Sequence, residues 1–356
     1  MGAPPLVTIV TPSFNSGRFL KQAIQSILEQ DYPRIEYLVV DGGSTDETLA
    51  ILEGQNRRVR FISASDRGPA DAVSRGFALT KGGILAWLNS DDYYLPGAVS
   101  AAVESLEADP DAGAVYAEAQ WVDESGNILG PYPTVRPYDP TMLSRECSIC
   151  QPTCFFRRSA YEEVGGLDIS LKTVFDYDLW IRMARSYRFI SIPICAAASR
   201  MHPENLSLSQ RHLVFQEAIG LLKRHFGYVP MNWIYGSIQY ARDRKDQFFQ
   251  PLDTSLSTFL ACLPVGLYLN QKSPLRYCRE FCSKLNTENI ALYLRSLFNG
   301  RRIPPWLGPN GSPATNAGLR DLLGSEIRRG SIGFLPSAST RQISPDEAPG
   351  GTEPER

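Results

Sequence analysis

Two adjacent carboxylates follow an apolar run in the first hundred residues. The run, residues 84–88, leads into the acidic loop 89–92, which contains Asp91 and Asp92. Neighbouring carboxylates repel each other unless a cation or hydrogen-bond donors offset their charge, so the loop predicts a site for a hard divalent cation such as Mg²⁺ or Mn²⁺. The same residues also suit a helix cap and turn ahead of Pro96, and the loop alone leaves both interpretations open.

A second polar loop, residues 41–46, also follows an apolar run. Gly42 and Gly43 permit close approach of the backbone to a ligand, and Asp41 has the chemistry to accept hydrogen bonds from a nucleotide base. The residues after the two glycines equally suit the N-cap of a helix. The loop matches neither the dinucleotide-binding fingerprint nor a Walker phosphate loop, which disfavours a dehydrogenase or a P-loop ATPase.

A third acidic group lies in a helical pattern that covers residues 176–187. Asp176 and Asp178 are two positions apart, so they do not share a helix face, whereas Asp178 and Arg182 have the spacing of an ion pair. This leaves Asp176 as the carboxylate that is free to face a cleft. An ordinary N-cap is its alternative role.

The cysteines and histidines do not complete a zinc site or a nucleophile pair. Cys147, Cys150 and Cys154 are close in sequence, but structural zinc needs four ligands and no second pair is nearby. The three histidines of the chain are His202, His212 and His225. We expect His212 and His225 to lie on a helix surface or to take part in helix packing. His202 follows a predicted strand and is a candidate ligand for a metal or a phosphate.

The elements that position these groups alternate between strands and helices. Apolar runs at 6–11, 35–40, 59–63 and 84–88 predict four strands, each followed by a helical pattern. Such alternation is typical of a parallel, doubly wound α/β sheet, which binds ligands at the carboxyl ends of its strands. Polar or acidic residues follow each of the four runs: 12–15, 41–46, 66–68 and 89–92.

The rest of the chain divides into three parts. Strand-like pieces at 114–119, 151–157, 189–192 and 196–201 predict a mixed second half of the same domain, which we bound at residues 1–207. Residues 208–300 form a predicted helical extension, and its apolar stretch 256–269 suits packing, a homodimer interface or a membrane surface. Residues 301–356 are rich in Pro, Gly, Ser and Arg, and we expect a disordered tail.

Composition limits the function and the compartment. Lys and Arg number 36 against 38 Asp and Glu, a net charge of -2 that disfavours a nucleic-acid partner. Seven cysteines do not suggest a disulfide framework, and we find no signal-peptide pattern or apolar run long enough to span a bilayer. These features predict a cytoplasmic protein.

Taken together, the motifs resemble those of the family 2 glycosyltransferases, which have the GT-A fold and include enzymes of bacterial polysaccharide and O-antigen synthesis. The matching segments lie in family order between residues 6 and 207. They are residues 8–15, 41–46, 66–68, 88–92, 155–158 with 164–168, and 176–182.

The resemblance implies a role for each matching residue. Pro12, Asn15, Asp41 and Asp66 would line the nucleotide pocket of a nucleotide-diphosphate-sugar, most often a UDP-sugar. Asp92 would bind the divalent metal, Asp91 the metal or the ribose, and Asp176 would be the general base. His202 matches a histidine that some members place near the metal.

Two positions depart from the family pattern. Asn89 replaces an aspartate that often begins the acidic motif, and Phe175 replaces an acidic residue that often precedes the base. Asp178 is therefore a fallback for the base.

The leading hypothesis is an inverting, metal-assisted glycosyltransferase that acts on a glycan or lipid-linked acceptor, at the inner face of the cell membrane. A non-catalytic nucleotide-sugar-binding protein is the alternative, and a glycoside hydrolase is a weaker rival because it needs neither the 41–46 loop nor a metal.

Overall fold

The computed structural model describes residues 3–55, 59–250 and 255–285. The predicted tail at 301–356 and the end of the predicted extension therefore lie outside the described residues. The strands are β1 (Val7–Ser13), β2 (Ile35–Asp41), β3 (Arg60–Ser63), β4 (Ile84–Trp87), β5 (Tyr93–Tyr94), β6 (Ala112–Val122), β7 (Ile128–Pro131), β8 (Phe155–Arg157) and β9 (Arg188–Arg200). The helices are α1 (Gly17–Leu28), α2 (Thr48–Glu53), α3 (Pro69–Ala78), α4 (Ala98–Ala108), α5 (Arg158–Glu163), α6 (Phe175–Met183), α7 (Leu206–Ser209), α8 (Arg211–Phe226), α9 (Met231–Asp243), α10 (Leu256–Leu269) and α11 (Pro274–Ser283).

The strands form one mixed sheet in the order β3-β2-β1-β4-β8-β6-β9-β5, and β7 pairs with β6. β1, β2, β3 and β4 are parallel, as the sequence predicts. β8 is antiparallel to both β4 and β6, and β9 is parallel to β6. β6 and β9 therefore run in the same direction as the first four strands, and all six carboxyl ends meet at one edge of the sheet.

Apolar residues on both faces explain why β1 is a central strand. All seven of its residues are buried. Successive side chains point to opposite faces: Ile9 belongs to the core beneath α1 and α4, and Val10 to the core beneath α3 and α6. Gly76 permits the close approach of α3, because a Cβ atom there would lie 2.5 Å from Cγ1 of Val10.

The C-terminal helices pack on the same core as the sheet. Trp180 on α6, Val214 on α8, Trp233 on α9 and Tyr277 on α11 belong to one apolar cluster, which also contains Trp87 of β4. The apolar core is thus continuous across the domain boundary that the sequence predicts at residue 207.

Several element boundaries differ from the sequence prediction. β9 is one strand, where the sequence predicts two. Exposed Pro193 lies between the two predicted pieces, at the point where the pairing with β6 shifts register. A strand tolerates a proline at such an irregularity, so β9 continues through it. Residues Gln151–Thr153 form a 3₁₀ turn ahead of β8. The helix predicted to begin near Pro96 begins at Ala98, after Gly97 in a left-handed conformation. The short elements β5, β7 and α5 have too few residues to show a periodic pattern.

Candidate functional site

A cavity of about 1120 Å³ opens at the edge of the sheet where the six carboxyl ends meet. Of the residues predicted from the sequence, it is lined by Pro12, Asn15, Asp66, Asp91, Asp92, Asp176 and His202. The topology explains this convergence, since each of these residues lies in or just after a strand end, or at the start of α6. The cavity wall does not include Asp41.

The loop after β1 is fixed to the loop after β2 by two hydrogen bonds of Asn15. Its backbone N–H donates to Oγ of Ser44 at 2.7 Å, and its side-chain Oδ1 accepts from the N–H of Thr45 at 2.9 Å. Asn15 has a φ of 49°, a left-handed conformation that asparagine adopts more readily than most residues. The loop conformation at this wall of the cavity is therefore set by side-chain chemistry.

Asp41 organises its own loop instead of facing the cavity. The residue is fully buried. Its Oδ2 accepts from the N–H groups of Gly43 and Ser44, both at 3.0 Å, and from Oγ of Ser63 at 2.6 Å, while Oγ of Ser44 donates to Oδ1. With its oxygens bonded inside the loop, Asp41 has a positioning role in the structure.

Asp66 occupies the adjoining wall beside two glycines. Its Oδ1 accepts from the N–H of Gly68 at 2.8 Å. A Cβ atom on Gly42 would lie 2.9 Å from Oδ2 of Asp66, so the absence of a side chain at position 42 makes room for this carboxylate.

Asp92 is a buried carboxylate with few internal donors. Its Oδ1 accepts from the N–H of Arg200 at 2.8 Å, and its Oδ2 accepts from Nδ2 of Asn89 at 3.4 Å. Burial, followed by the charge of neighbouring Asp91, raises the pKa of Asp92 well above its ordinary value. A bound divalent cation would offset both effects.

Asp91 contacts the histidine that follows β9. Oδ2 of Asp91 lies 3.1 Å from Nε2 of His202 and accepts from Nδ2 of Asn205 at 3.5 Å. Nδ1 of His202 is buried and has no hydrogen-bond partner within the described residues. His202 therefore contacts Asp91, and all three predicted metal ligands line the same cavity.

Arg200, the last residue of β9, is a component of the site that the sequence prediction missed. Its backbone N–H donates to Asp92, its Nε donates to the carbonyl of Asp91 at 2.9 Å, and its guanidinium also donates to the carbonyls of Asp123 and Glu124. The guanidinium lies 4.7 Å from the ring centroid of Phe19. Its position at the end of a strand, two residues before His202, was the available signal.

The donor groups in this region fit a divalent metal. Magnesium and manganese are commonly bound by one or two carboxylates together with phosphate oxygens of a ligand. Asp91 and Asp92 supply the carboxylates, and the raised pKa of Asp92 reflects a charge that lacks compensation in the protein. In the described parts of the chain, no group of three His, Cys, Asp or Glu residues forms a metal site by itself.

The thiols nearby are poor ligands in the folded chain. Cys147 and Cys150 line the cavity, and burial raises the pKa of these thiols and of the Cys154 thiol well above the ordinary value. They are therefore protonated at neutral pH, whereas a metal binds the thiolate.

Asp176 lies half-buried in the first turn of α6. Burial raises the pKa of its carboxyl group to about 6. Oδ1 accepts from the N–H of Tyr177 at 2.7 Å. The preceding Phe175 is buried against Trp87, with ring centroids 6.0 Å apart, so the position that differs from the family pattern belongs to the core.

Asp178 does not line the cavity. Its Oδ2 accepts from Nε of Arg182 at 2.7 Å, as the spacing predicts, and its Oδ1 lies 2.8 Å from Nε2 of His225. Asp178 is 2% exposed. The sequence expectation of helix packing for His225 agrees with this contact, and His212 lies exposed on α8.

Comparison with known proteins is consistent with this geometry. Residues 8–165 match the family described as Glycosyl transferase family 2. Chondroitin synthase of Escherichia coli is 29% identical over 213 residues, which are 58% of this chain and 30% of that protein. The chain thus spans less than a third of the length of that relative.

Two solved structures share the fold. Staphylococcus aureus TarS 1–349 in complex with UDP-GlcNAc matches with a TM-score of 0.54 at 14% identity, covering 92% of each chain. The mannosyltransferase PcManGT from Pyrobaculum calidifontis, in complex with GDP-Man and Mn²⁺, matches with a TM-score of 0.51 at 19% identity, covering 84% of this chain and 89% of that one. The α/β fold of GT-A type that the sequence predicts is confirmed.

Proposed function

We propose that the chain, whose residues 8–165 match the family described as Glycosyl transferase family 2, transfers a sugar from a nucleotide-diphosphate-sugar to an acceptor hydroxyl with inversion at the anomeric carbon. The observation that carries the proposal is that one cavity holds the Asp91–Asp92 pair together with a separate carboxylate, Asp176, whose pKa is raised to about 6. The pair suits a metal-bound diphosphate, and the separate carboxylate suits a base.

The donor nucleotide occupies the wall formed by the first three strand ends. Pro12, Asn15 and Asp66 line this wall, and Asp41 holds its loop in shape. A UDP-sugar is the donor we propose. The complex of TarS 1–349 with UDP-GlcNAc, which shares the fold, supports this choice.

Asp91 and Asp92 are the residues that would hold the divalent metal, beside His202, which contacts Asp91. When bound, the cation would supply positive charge to the diphosphate leaving group. Arg200 would keep the two aspartates in position through its bonds to Asp92 Oδ1 and to the Asp91 carbonyl.

Asp176 accepts the proton of the acceptor hydroxyl as that oxygen attacks the anomeric carbon. A bond forms between the two, the bond from the anomeric carbon to the diphosphate oxygen breaks, and the proton ends on the Asp176 carboxylate. A base is most effective when its pKa lies near the working pH, so burial makes Asp176 a better base than an exposed aspartate. Tyr177 N–H, by donating to Oδ1, orients the carboxylate.

The acceptor is a glycan or a lipid-linked sugar, and the reaction takes place at the cytoplasmic face of a membrane. The exposed face of α10 supports peripheral attachment, since Leu260 is 57% and Tyr268 is 69% exposed. Exposed basic side chains follow it in sequence: Lys272, Arg276 and Arg279. Apolar area beside basic groups is the pattern of proteins that bind anionic lipid surfaces. In the described ranges, no helix is both long and apolar enough to cross a membrane.

Sedimentation with vesicles tests the attachment. Wild-type protein should sediment with phosphatidylglycerol-containing vesicles and a Leu260→Ser/Tyr268→Ser variant should not. Wild-type protein that stays in the supernatant at low salt would contradict attachment, and a concentration-dependent dimer that the same variant disrupts would assign this face to a homodimer interface.

A thermal-shift screen of UDP-sugars and GDP-sugars, with and without Mn²⁺, tests the donor and the metal together. A ligand that binds only the folded state stabilises it by an amount that grows with the logarithm of saturation. We expect a UDP-sugar to raise the melting temperature in the presence of Mn²⁺. The absence of any shift with every donor would contradict the proposal.

A further inference from the structure

Arg211 is a cation in the cavity wall that the proposed reaction does not use. It is the first residue of α8, and its side chain lines the cavity. Its Nε is buried and has no hydrogen-bond partner among residues 3–55, 59–250 and 255–285. One guanidinium nitrogen, Nη2, donates to Oε1 of Gln247 over a long 3.4 Å.

The guanidinium is held in place by its neighbours. It lies 4.9 Å from the ring centroid of Phe215, which supports one face of its plane. Gln247 is fixed by donation from its Nε2 to the carbonyl of Gly236 at 2.9 Å. A Cβ atom on Gly236 would lie 2.7 Å from Phe215, so the absence of a side chain there lets the helices approach. The group is therefore oriented before any ligand arrives.

The charge of Arg211 is only partly compensated inside the protein. Burial lowers the pKa of its guanidinium to about 10, and the charge of Asp246 offsets part of that effect. The side chain is still protonated at neutral pH. A buried donor without a partner costs free energy unless a ligand satisfies it, and guanidinium pairs best with carboxylate or phosphate oxygens.

Aromatic side chains line the same cavity as Arg211. Phe248, next to Gln247, packs edge-on against Trp121 with ring centroids 4.9 Å apart, and both rings line the cavity. Trp233 lines it as well, and its Nε1 donates to the carbonyl of Arg145 at 2.8 Å. Flat aromatic faces beside a cation suit a sugar ring that carries a negative charge.

On the premise of the proposed function, we propose that Arg211 binds an anionic group of the acceptor sugar, a carboxylate or a phosphate ester, while the aromatic side chains around it pack on the sugar ring. The acceptor is thereby an acidic glycan or a sugar phosphate. Arg211 is a specificity-determining residue in this account and takes no part in bond formation.

Binding of matched sugars to the Mn²⁺–UDP complex of the full chain tests the proposal. The probes are methyl β-D-glucopyranoside, the corresponding glucuronide and glucose 6-phosphate, with affinity measured by titration in NMR. We expect at least one charged probe to bind about tenfold more tightly than the neutral one, the size of a charge-assisted hydrogen bond. Preference for the glucuronide or for the phosphate identifies the source of the anion.

Arg211→Met should abolish this preference and leave the affinity for UDP unchanged, and Arg211→Lys should retain part of it. Lys223→Met, at an exposed position on the same helix, is the matched control and should behave as wild type. The proposal is overturned if wild-type protein binds the charged and neutral probes equally. It is also overturned if Arg211→Met keeps the preference for the charged probe, or if this variant loses affinity for UDP instead. Absence of UDP binding in wild-type protein would contradict the proposed function itself.

Discussion

Replacement of Asp176 by Asn tests the assigned base and also predicts an effect on stability. Asparagine keeps the shape and an oxygen that can accept from the N–H of Tyr177, but it cannot take a proton from the acceptor. We expect the transfer rate to fall about 10²–10⁴-fold, the usual contribution of a general base, while donor affinity is unchanged. Wild-type activity should fall with decreasing pH through about 6, the pKa of Asp176, and the residual activity of Asp176→Asn should lack this limb.

The substitution is expected to raise the stability of the fold, although it lowers the activity. The pKa of Asp176 is raised from 3.8 to about 6 in the folded chain, so the folded state prefers the protonated form. Wild-type stability therefore decreases as the pH rises from about 4 to about 6 and is constant above that range. The difference in pKa corresponds to at most about 3 kcal/mol, and partial exposure of the side chain reduces it to roughly 2 kcal/mol.

Urea denaturation of wild type and Asp176→Asn at about pH 5 and at about pH 8 measures the effect of Asp176 on the free energy of unfolding. The variant should be more stable than wild type at both values, and its advantage should grow by roughly 1 kcal/mol between them because ionisation of Asp176 is completed in that interval. A variant with wild-type turnover would refute the assignment of the base. A stability difference that does not change with pH would refute the burial argument.

Three further substitutions separate the structural residues from the chemical ones. Asp178→Asn should lower the free energy of unfolding, measured in urea, by about 3 kcal/mol, because it removes one partner of a buried ion pair. The folded fraction of this variant should keep the wild-type turnover, and a loss of turnover would favour Asp178 as the base. Arg200→Met should weaken Mn²⁺-dependent donor binding, measured by calorimetry, by about tenfold, because the 91–92 loop loses the guanidinium bond to the Asp91 carbonyl while the backbone bond to Asp92 remains. Unchanged affinity would contradict its positioning role. Gly266→Ala should lower the melting temperature with turnover unchanged, because a Cβ atom there would lie 1.8 Å from Cζ of Tyr277; wild-type stability would contradict the packing of α10 on α11.

The edge of the sheet that carries the site was predictable from the sequence. The parallel arrangement of the first four strands follows from their alternation with helices, and it places the loops at 12–15, 66–68 and 89–92 on one edge. The position of Asp176 in the cavity was also predictable, since the ion pair between Asp178 and Arg182 left Asp176 as the carboxylate without that partner.

Other features depended on contacts that no local pattern encodes. An aspartate that folds back on its own loop, as Asp41 does, has the same sequence signature as one that faces a ligand. Arg200 was missed although it lies near the end of the predicted strand 196–201, because its partners are 76 to 109 residues away in sequence. Arg211 and Trp121 are 90 residues apart in sequence, and only tertiary packing brings them to the same cavity.

The most direct measurement of the central claim is the rate at which nucleoside diphosphate is released from a panel of nucleotide-sugars in the presence of Mn²⁺. The account predicts release from at least one UDP-sugar, loss of that release on chelation of the metal, and a large decrease in Asp92→Asn. Binding of a nucleotide-sugar with no release under any of these conditions would contradict it and would identify the protein as a non-catalytic binder.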